Sequence, residues 1–305
     1  MFDKQQVGTR VDVERLEDVR PNQDVAALFS NLQLNEMHYQ PFTRRRLKKT
    51  FDEAVEVPNP TPSSPTHGTR IQIGVFSPMG GSGMSTLTVS LGSILCQLGR
   101  RVLLVDTSPW QALVFHFGAT EARPGKRTFF APGSSGFEIH ILACDECPPK
   151  FSDLESFTAV TSVDCVLFDL GGLSGETLNV YLRECDMLLV PLLPDHSAVR
   201  LAKTVELFLA RLGTAVPRVQ FVLNQMDDSP DAMEVQDLLT RSLGEDLFPI
   251  AINHQSDVHD AIADGVVLPF YAPEAQATSV CHEIVRWLRI PEMSLQKVDL
   301  RWSEG

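Results

Sequence analysis

This chain of 305 residues has no apolar run near the ~18 to 20 residues that a membrane-crossing helix requires, so no spanning helix is expected. Its start, Met-Phe-Asp-Lys-Gln-Gln, lacks the apolar stretch of a signal peptide, and cytoplasmic residence is the expectation. Cysteine is scarce. Four of the six, Cys96, Cys165, Cys185 and Cys281, fall in apolar periodic segments, where they act as small hydrophobes and suit a reducing compartment. Cys144 and Cys147 form a lone CxxC with no second pair and no flanking histidines, which argues against a zinc or redox centre. The eight histidines offer no catalytic triad: His254 and His259 are five apart, and His140 alternates along a strand pattern. Basic residues are few. Residues 71–305 hold 16 of them against 29 acidic ones, which accounts for the net charge of −13 and disfavours binding to nucleic acid, since that needs cations for phosphate.

The most consequential absence is of lysine in one loop. An apolar run from Ile71 to Phe76 reads as a buried strand, and Leu87, Leu91, Ile94, Leu95 and Leu98, closed by Gly99, read as a helix. Between them lies Met79-Gly80-Gly81-Ser82-Gly83-Met84-Ser85-Thr86. Small residues in that place let backbone N–H groups close around phosphate oxygens at the positive end of the helix. A Walker loop sets a lysine just before its magnesium-holding Ser/Thr. Here that position is Met84, and Ser85 is the candidate metal ligand.

Further along, Arg101 to Asp106 reads as a second buried strand ending on a carboxylate, followed by Thr107-Ser108-Pro109. Cys165 to Asp169, followed by Leu170-Gly171-Gly172, has the form of a Walker B strand. Phe221 to Leu223 leads into Asn224, and Gly265-Val266-Val267-Leu268-Pro269 forms a late loop.

In order and spacing over residues 71–290, these segments resemble the MinD/ParA family, whose loop is Lys-Gly-Gly-x-Gly-Lys-(Thr/Ser)-Thr. The resemblance implies bound ATP and Mg2+. It places Gly80, Gly81, Ser82, Gly83, Met84, Ser85 and Thr86 on phosphate, Asn224 and Pro269 about the adenine, and Ser85, Asp106 and Asp169 around the metal. It also implies an ATP-sandwich homodimer, in which the family's first lysine, here Met79, reaches the partner's nucleotide. The family's second switch carboxylate is Ser108 in this chain, and a serine cannot act as a carboxylate base at neutral pH, so hydrolysis is expected to be slow or absent. No residue is assigned as catalytic. Arg200 and Lys203 are the candidate replacement cations.

Within the family the chain is most similar to the MinD-like BcsQ proteins of bacterial cellulose-synthesis operons, which depart from the pattern at the positions of Met84 and Ser108. BcsQ carries arginine where this chain has Met79. The similarity implies a cytoplasmic, nucleotide-dependent dimer serving cellulose secretion and biofilm formation. Its partners would be cellulose synthase complex subunits, with recruitment to the inner membrane through them. The alternatives are an active positioning ATPase of the MinD/FlhG type and a nucleotide-free adaptor.

The expected fold is α/β: a doubly wound, mostly parallel sheet with strands at 71–76, 101–106, 137–143, 164–169, 186–192, 219–225 and 247–252. The expected organisation is an N-terminal extension over 1–56, a Pro/Ser-rich linker over 57–69, the P-loop domain over 70–291 and a tail over 292–305. In the extension, Asp24 caps a pattern of Val25, Leu28, Phe29 and Leu32 at amphipathic-helix spacing, followed by a basic cluster, Arg44 to Lys49. About two or three turns are not stable alone in water, so the stripe is expected to dock. The stretch around it resembles BcsR, the short companion of BcsQ. Leu295 to Trp302 is too short and mixed for a membrane anchor.

Overall fold

The segments Ile71–Val75, Val102–Asp106, Cys165–Asp169 and Met187–Leu192 are apolar almost throughout, and such runs bury both faces of a sheet. They do so in the computed structural model, which describes residues 70–130, 138–143, 148–149, 154–155, 163–212 and 217–288. Among these residues seven strands make one sheet: β1 (Ile71–Val75), β2 (Val102–Asp106), β3 (Gly125–Phe130), β4 (Glu138–Ala143), β5 (Cys165–Asp169), β6 (Met187–Leu192) and β7 (Arg218–Leu223). Their order is β3-β4-β2-β5-β1-β6-β7, parallel except for β3. The helices are α1 (Met84–Gln97), α2 (Gly175–Glu184), α3 (Ser197–Ala210), α4 (Pro230–Leu243), α5 (Ser256–Asp264), α6 (Leu268–Tyr271) and α7 (Gln276–Trp287).

Strand alternation sorts the core into two layers. Ile73, Val75, Val102, Leu104 and Leu167 face one side, where Leu91 and Ile94 of α1 and Val280 and Ile284 of α7 cover them. Leu103, Val105, Val166, Phe168 and Val190 face the other, beneath Leu182 of α2, Leu201 and Val205 of α3 and Val235 of α4. This is the doubly wound α/β arrangement that the sequence predicts.

Helix α1 ends as its sequence dictates. Gly99 takes φ +81, and the N–H groups of Gly99 and Arg100 return to the carbonyls of Cys96 and Leu95, at 2.9 and 3.0 Å. That is a glycine C-cap satisfying the last-turn carbonyls.

Two strand expectations are corrected. Residues 247–252 add no strand; they touch β7 through an isolated bridge, Phe221 to Leu247, and single bonds from Phe248 and Ile252 to the carbonyls of Phe221 and Leu223. The chain bends at Pro249 and Ile250, so that Ile252 rather than Ile250 donates to Leu223 and no regular ladder forms. The seventh strand is β3, pairing antiparallel with β4 at the sheet edge. Its Gly-Lys-Arg-Thr beginning carries no apolar alternation, because an edge strand is only half covered. Phe137, the CxxC, the extension with its helix pattern, the linker and the tail all lie outside the described residues.

Candidate functional site

Strand pairing brings the sequence-derived residues to one edge of the sheet. In the registers of β5 with its two neighbours, Asp169 is the partner of both Val75, which leads into the glycine loop, and Asp106. The carboxyl ends of β1, β2 and β5 therefore meet at one place, as ligand sites of open α/β sheets do.

The loop runs from Phe76 to Gly83, with Gly81 at φ +77 and Gly83 at φ +89, a backbone region that disfavours side chains. The Gly83 carbonyl accepts the first helical bond, from Leu87 N–H at 2.9 Å, so α1 opens directly out of the loop. Ser85, in its first turn, donates its hydroxyl to Asp169 Oδ2 at 2.6 Å. Asp169 Oδ1 accepts from Gly171 N–H at 3.3 Å. Thr86 is half-buried beside Ser85.

Asp106 is 1% exposed and doubly held, accepting from Ser108 N–H at 2.9 Å and Leu113 N–H at 2.8 Å. Burial pushes its carboxyl up to about 7; the Leu113 N–H opposes that, and the Asp169 charge adds to it. Asp169, also 1% exposed, is likewise raised by burial, against the pull of the Ser85 hydroxyl and the Gly171 N–H. Among the described residues, no cationic side chain contributes to either shift. Two buried carboxylates and a hydroxyl at one corner form a hard oxygen set that fits Mg2+, and a divalent cation would relieve their burial.

The two methionines do not occupy the site as cations would. The Ser77 N–H points to the Met84 sulfur at 2.9 Å, and a Cβ on Gly171 would lie 3.0 Å from the Met84 methyl. Ser197 of α3 donates its hydroxyl to the Met79 sulfur at 3.4 Å. Of the candidate replacement cations, Lys203 pairs with Glu206 on its own helix at 3.2 Å and Arg200 is exposed. Ser108 sits in a turn, its hydroxyl accepting from Trp110 N–H at 3.1 Å. Pro269 is buried in α6, whose Leu268 packs into the layer under α1 and α7.

Three contributors, Thr107, Gly172 and Gln225, escape sequence reasoning, and Asn224 makes a contact that it does not foresee. Thr107 ties the end of β2 to β5, its hydroxyl donating to the Asp169 carbonyl at 2.6 Å. A Cβ on Gly172 would come within 2.4 Å of the Thr107 carbonyl, so the segments after β2 and β5 are locked together. Asn224 Nδ2 donates to the Ser82 carbonyl and Gln225 Nε2 to the Gly81 carbonyl, both at 2.7 Å. Asn224, expected at adenine, also bonds the loop. Only the polar amides Asn-Gln at a strand end could have signalled this. His254 and His259 do approach, with ring centroids 5.7 Å apart, yet no group of three metal-ligating side chains is found among the described residues.

Comparison with known proteins places these features in a family context. Residues 73–268 match the model of the CobQ/CobB/MinD/ParA nucleotide binding domain. The fold is similar to the ATP complex of McdA from Cyanothece, at 16% identity and TM-score 0.57, over 74% of this chain and 99% of that one. It is also similar to MinD of Pyrococcus horikoshii with Mg-ADP, at 16% identity and TM-score 0.56, over 72% and 96%. The MinC:MinD complex of Aquifex aeolicus matches at 17% identity and TM-score 0.57, over 74% and 98%. Two uncharacterized proteins of Mycobacterium tuberculosis are 46% identical over 57 residues, which is 19% of this chain and spans only 18% of their length.

Proposed function

This chain belongs to the CobQ/CobB/MinD/ParA family of nucleotide-binding domains, and on that premise we propose that it is a nucleotide-held switch whose output is a protein surface. One observation carries the reading. Ser85, Asp169 and Asp106 are assembled beside the glycine loop, while Met84 and Ser108 replace the phosphate cation and the second carboxylate. The glycine cradle and the metal-ligand types are kept, whereas a phosphate cation and the water-orienting carboxylate are lost. Ser85, Asp106 and Asp169 would hold Mg2+, and backbone N–H groups of the loop would hold phosphate. When bound, Mg2+ supplies the positive charge that the lysines no longer do.

A second copy is the proposed partner in the switched state. Trp110, two residues beyond Ser108, is 78% exposed, which supports a surface that another chain covers. The MinC:MinD complex shows a relative of this fold assembling with another protein. The finer assignment is support of the cellulose synthase complex from the cytoplasm, with recruitment to the inner membrane through its subunits. It rests on the departures at Met84 and Ser108, and loss of the gene should then lower cellulose output.

Light scattering with and without magnesium and ATP, together with assay of nucleotide in the heavier fraction, tests the switch. A dimer that retains unhydrolysed ATP is the expected result. A monomer that takes up no nucleotide at millimolar concentration sinks it, and the adaptor reading takes over. That second reading is favoured by the Ser77 N–H, which already has the Met84 sulfur as acceptor. Partner binding by an adaptor would survive substitution at Gly83.

A further inference from the structure

Two consecutive amide side chains follow directly on the end of β7, and both reach the phosphate loop. Asn224 Nδ2 donates to the Ser82 carbonyl and Gln225 Nε2 to the Gly81 carbonyl, each at 2.7 Å. The backbone between them is bent to make this possible. Gln225 takes φ +60, a left-handed conformation unusual for a residue other than glycine. It is held there from both sides, because Asn224 N–H donates to the Leu192 carbonyl at 2.8 Å and Met226 N–H to the Ile252 carbonyl at 2.9 Å. Strain kept by such anchoring is a pointer to function.

The contact also explains a glycine. A Cβ on Gly83 would lie 2.3 Å from Asn224 Nδ2, so the amide approaches the loop only because that side chain is missing.

In a trans peptide the C=O of one residue and the N–H of the next point in opposite directions. With the Gly81 and Ser82 carbonyls turned to the two amides, the N–H groups of Ser82 and Gly83 are turned away from them. We propose that Asn224 and Gln225 are positioning residues: a two-pronged clip that fixes the direction of the Ser82 and Gly83 N–H groups so that they meet a phosphate. Fixed N–H dipoles then do part of the work of the missing lysines. This rests on the nucleotide reading for its ligand, though not for its geometry.

The test uses the full-length protein, labelled with 15N, as wild type and as Asn224→Ala, Gln225→Ala, the double variant and Gln225→Lys, which keeps a donor. Without ligand, the Ser82 and Gly83 amide order parameters should be about 0.85 in the wild type and fall below about 0.6 in the double variant. Amides of β2 should not change, and Gln225→Lys should stay near the wild type. ADP with Mg2+ should bind about 3- to 10-fold more weakly for each prong removed. Unchanged loop order parameters in both single variants overturn the clip, and so does a loosened loop with unaltered ADP affinity. Should Asn224→Ala not fold, Gln225→Ala with its lysine control decides the matter alone. A wild type that binds no ADP would sink the nucleotide reading, and the order parameters would still judge the clip.

Discussion

At the level of single residues, the chemistry of the site turns on Met84. A charge-assisted hydrogen bond contributes about 1.5 to 3 kcal/mol. Met84→Lys should therefore tighten ADP binding by about 10- to 100-fold in calorimetry, and no gain would mean that the loop does not meet phosphate. His116 controls a different property. It is buried, 8% exposed, and burial holds its imidazole down to about 4 against an ordinary value of 6.5. Between those pH values the unfolded chain binds a proton that the folded one refuses. The stabilisation is thus complete above pH 6.5 and lost as pH falls toward 4, by about 3 kcal/mol. Asp106, raised to about 7 by burial, acts in the opposite sense, taking up a proton in the ligand-free fold as pH falls. Comparing wild type with His116→Leu isolates the histidine: the variant's urea midpoint should drop less between pH 7 and pH 4.5. Residue types announced the glycines, Ser85 and both aspartates. They did not announce that the Asn224 amide turns to the Ser82 carbonyl, because a donor at a strand end reads the same whichever acceptor it meets.

At the level of elements, α1 and its loop were legible throughout: apolar residues at helical spacing, a glycine stop at Gly99 and small residues before the first turn. The structure adds how closely the helix lies on the sheet. A Cβ on Gly92 would come 2.6 Å from Leu104 Cδ2, so Gly92→Val should force α1 from β2 and cost about 1 to 3 kcal/mol in urea unfolding. An unchanged midpoint would show that Leu104 simply turns aside. Strand β3 and segment 247–252 were misjudged for one reason. Apolar content marks burial, and pairing needs an uninterrupted extended backbone. The segment at 247–252 is apolar and bends at Pro249 and Ile250, whereas β3 begins with polar residues and pairs through its backbone.

At the level of the whole molecule, the charge balance makes a prediction that no single site does. With 16 basic and 29 acidic residues, the charge balance of residues 71–305 works against polyanion binding. Non-specific duplex DNA should show no binding at about 150 mM salt in an anisotropy titration, and salt-sensitive micromolar binding would contradict that. The same acidity would make a small, highly charged ligand dependent on its counter-ion. Magnesium should therefore strengthen ADP uptake more in the wild type than in Met84→Lys, where lysine supplies part of the charge.

The sequence by itself determined the runs that bury both faces of a sheet, the glycine loop between strand and helix, and the carboxylates that end two strands. These are local properties, set by side-chain type, spacing and backbone freedom. Only the tertiary structure decided that Asp106 and Asp169 lie side by side in register, and that Asn224 reaches a loop carbonyl 142 residues away in the chain. Neighbours across a sheet are chosen by crossover connections and by packing over the entire core, so no stretch of residues read alone contains that choice.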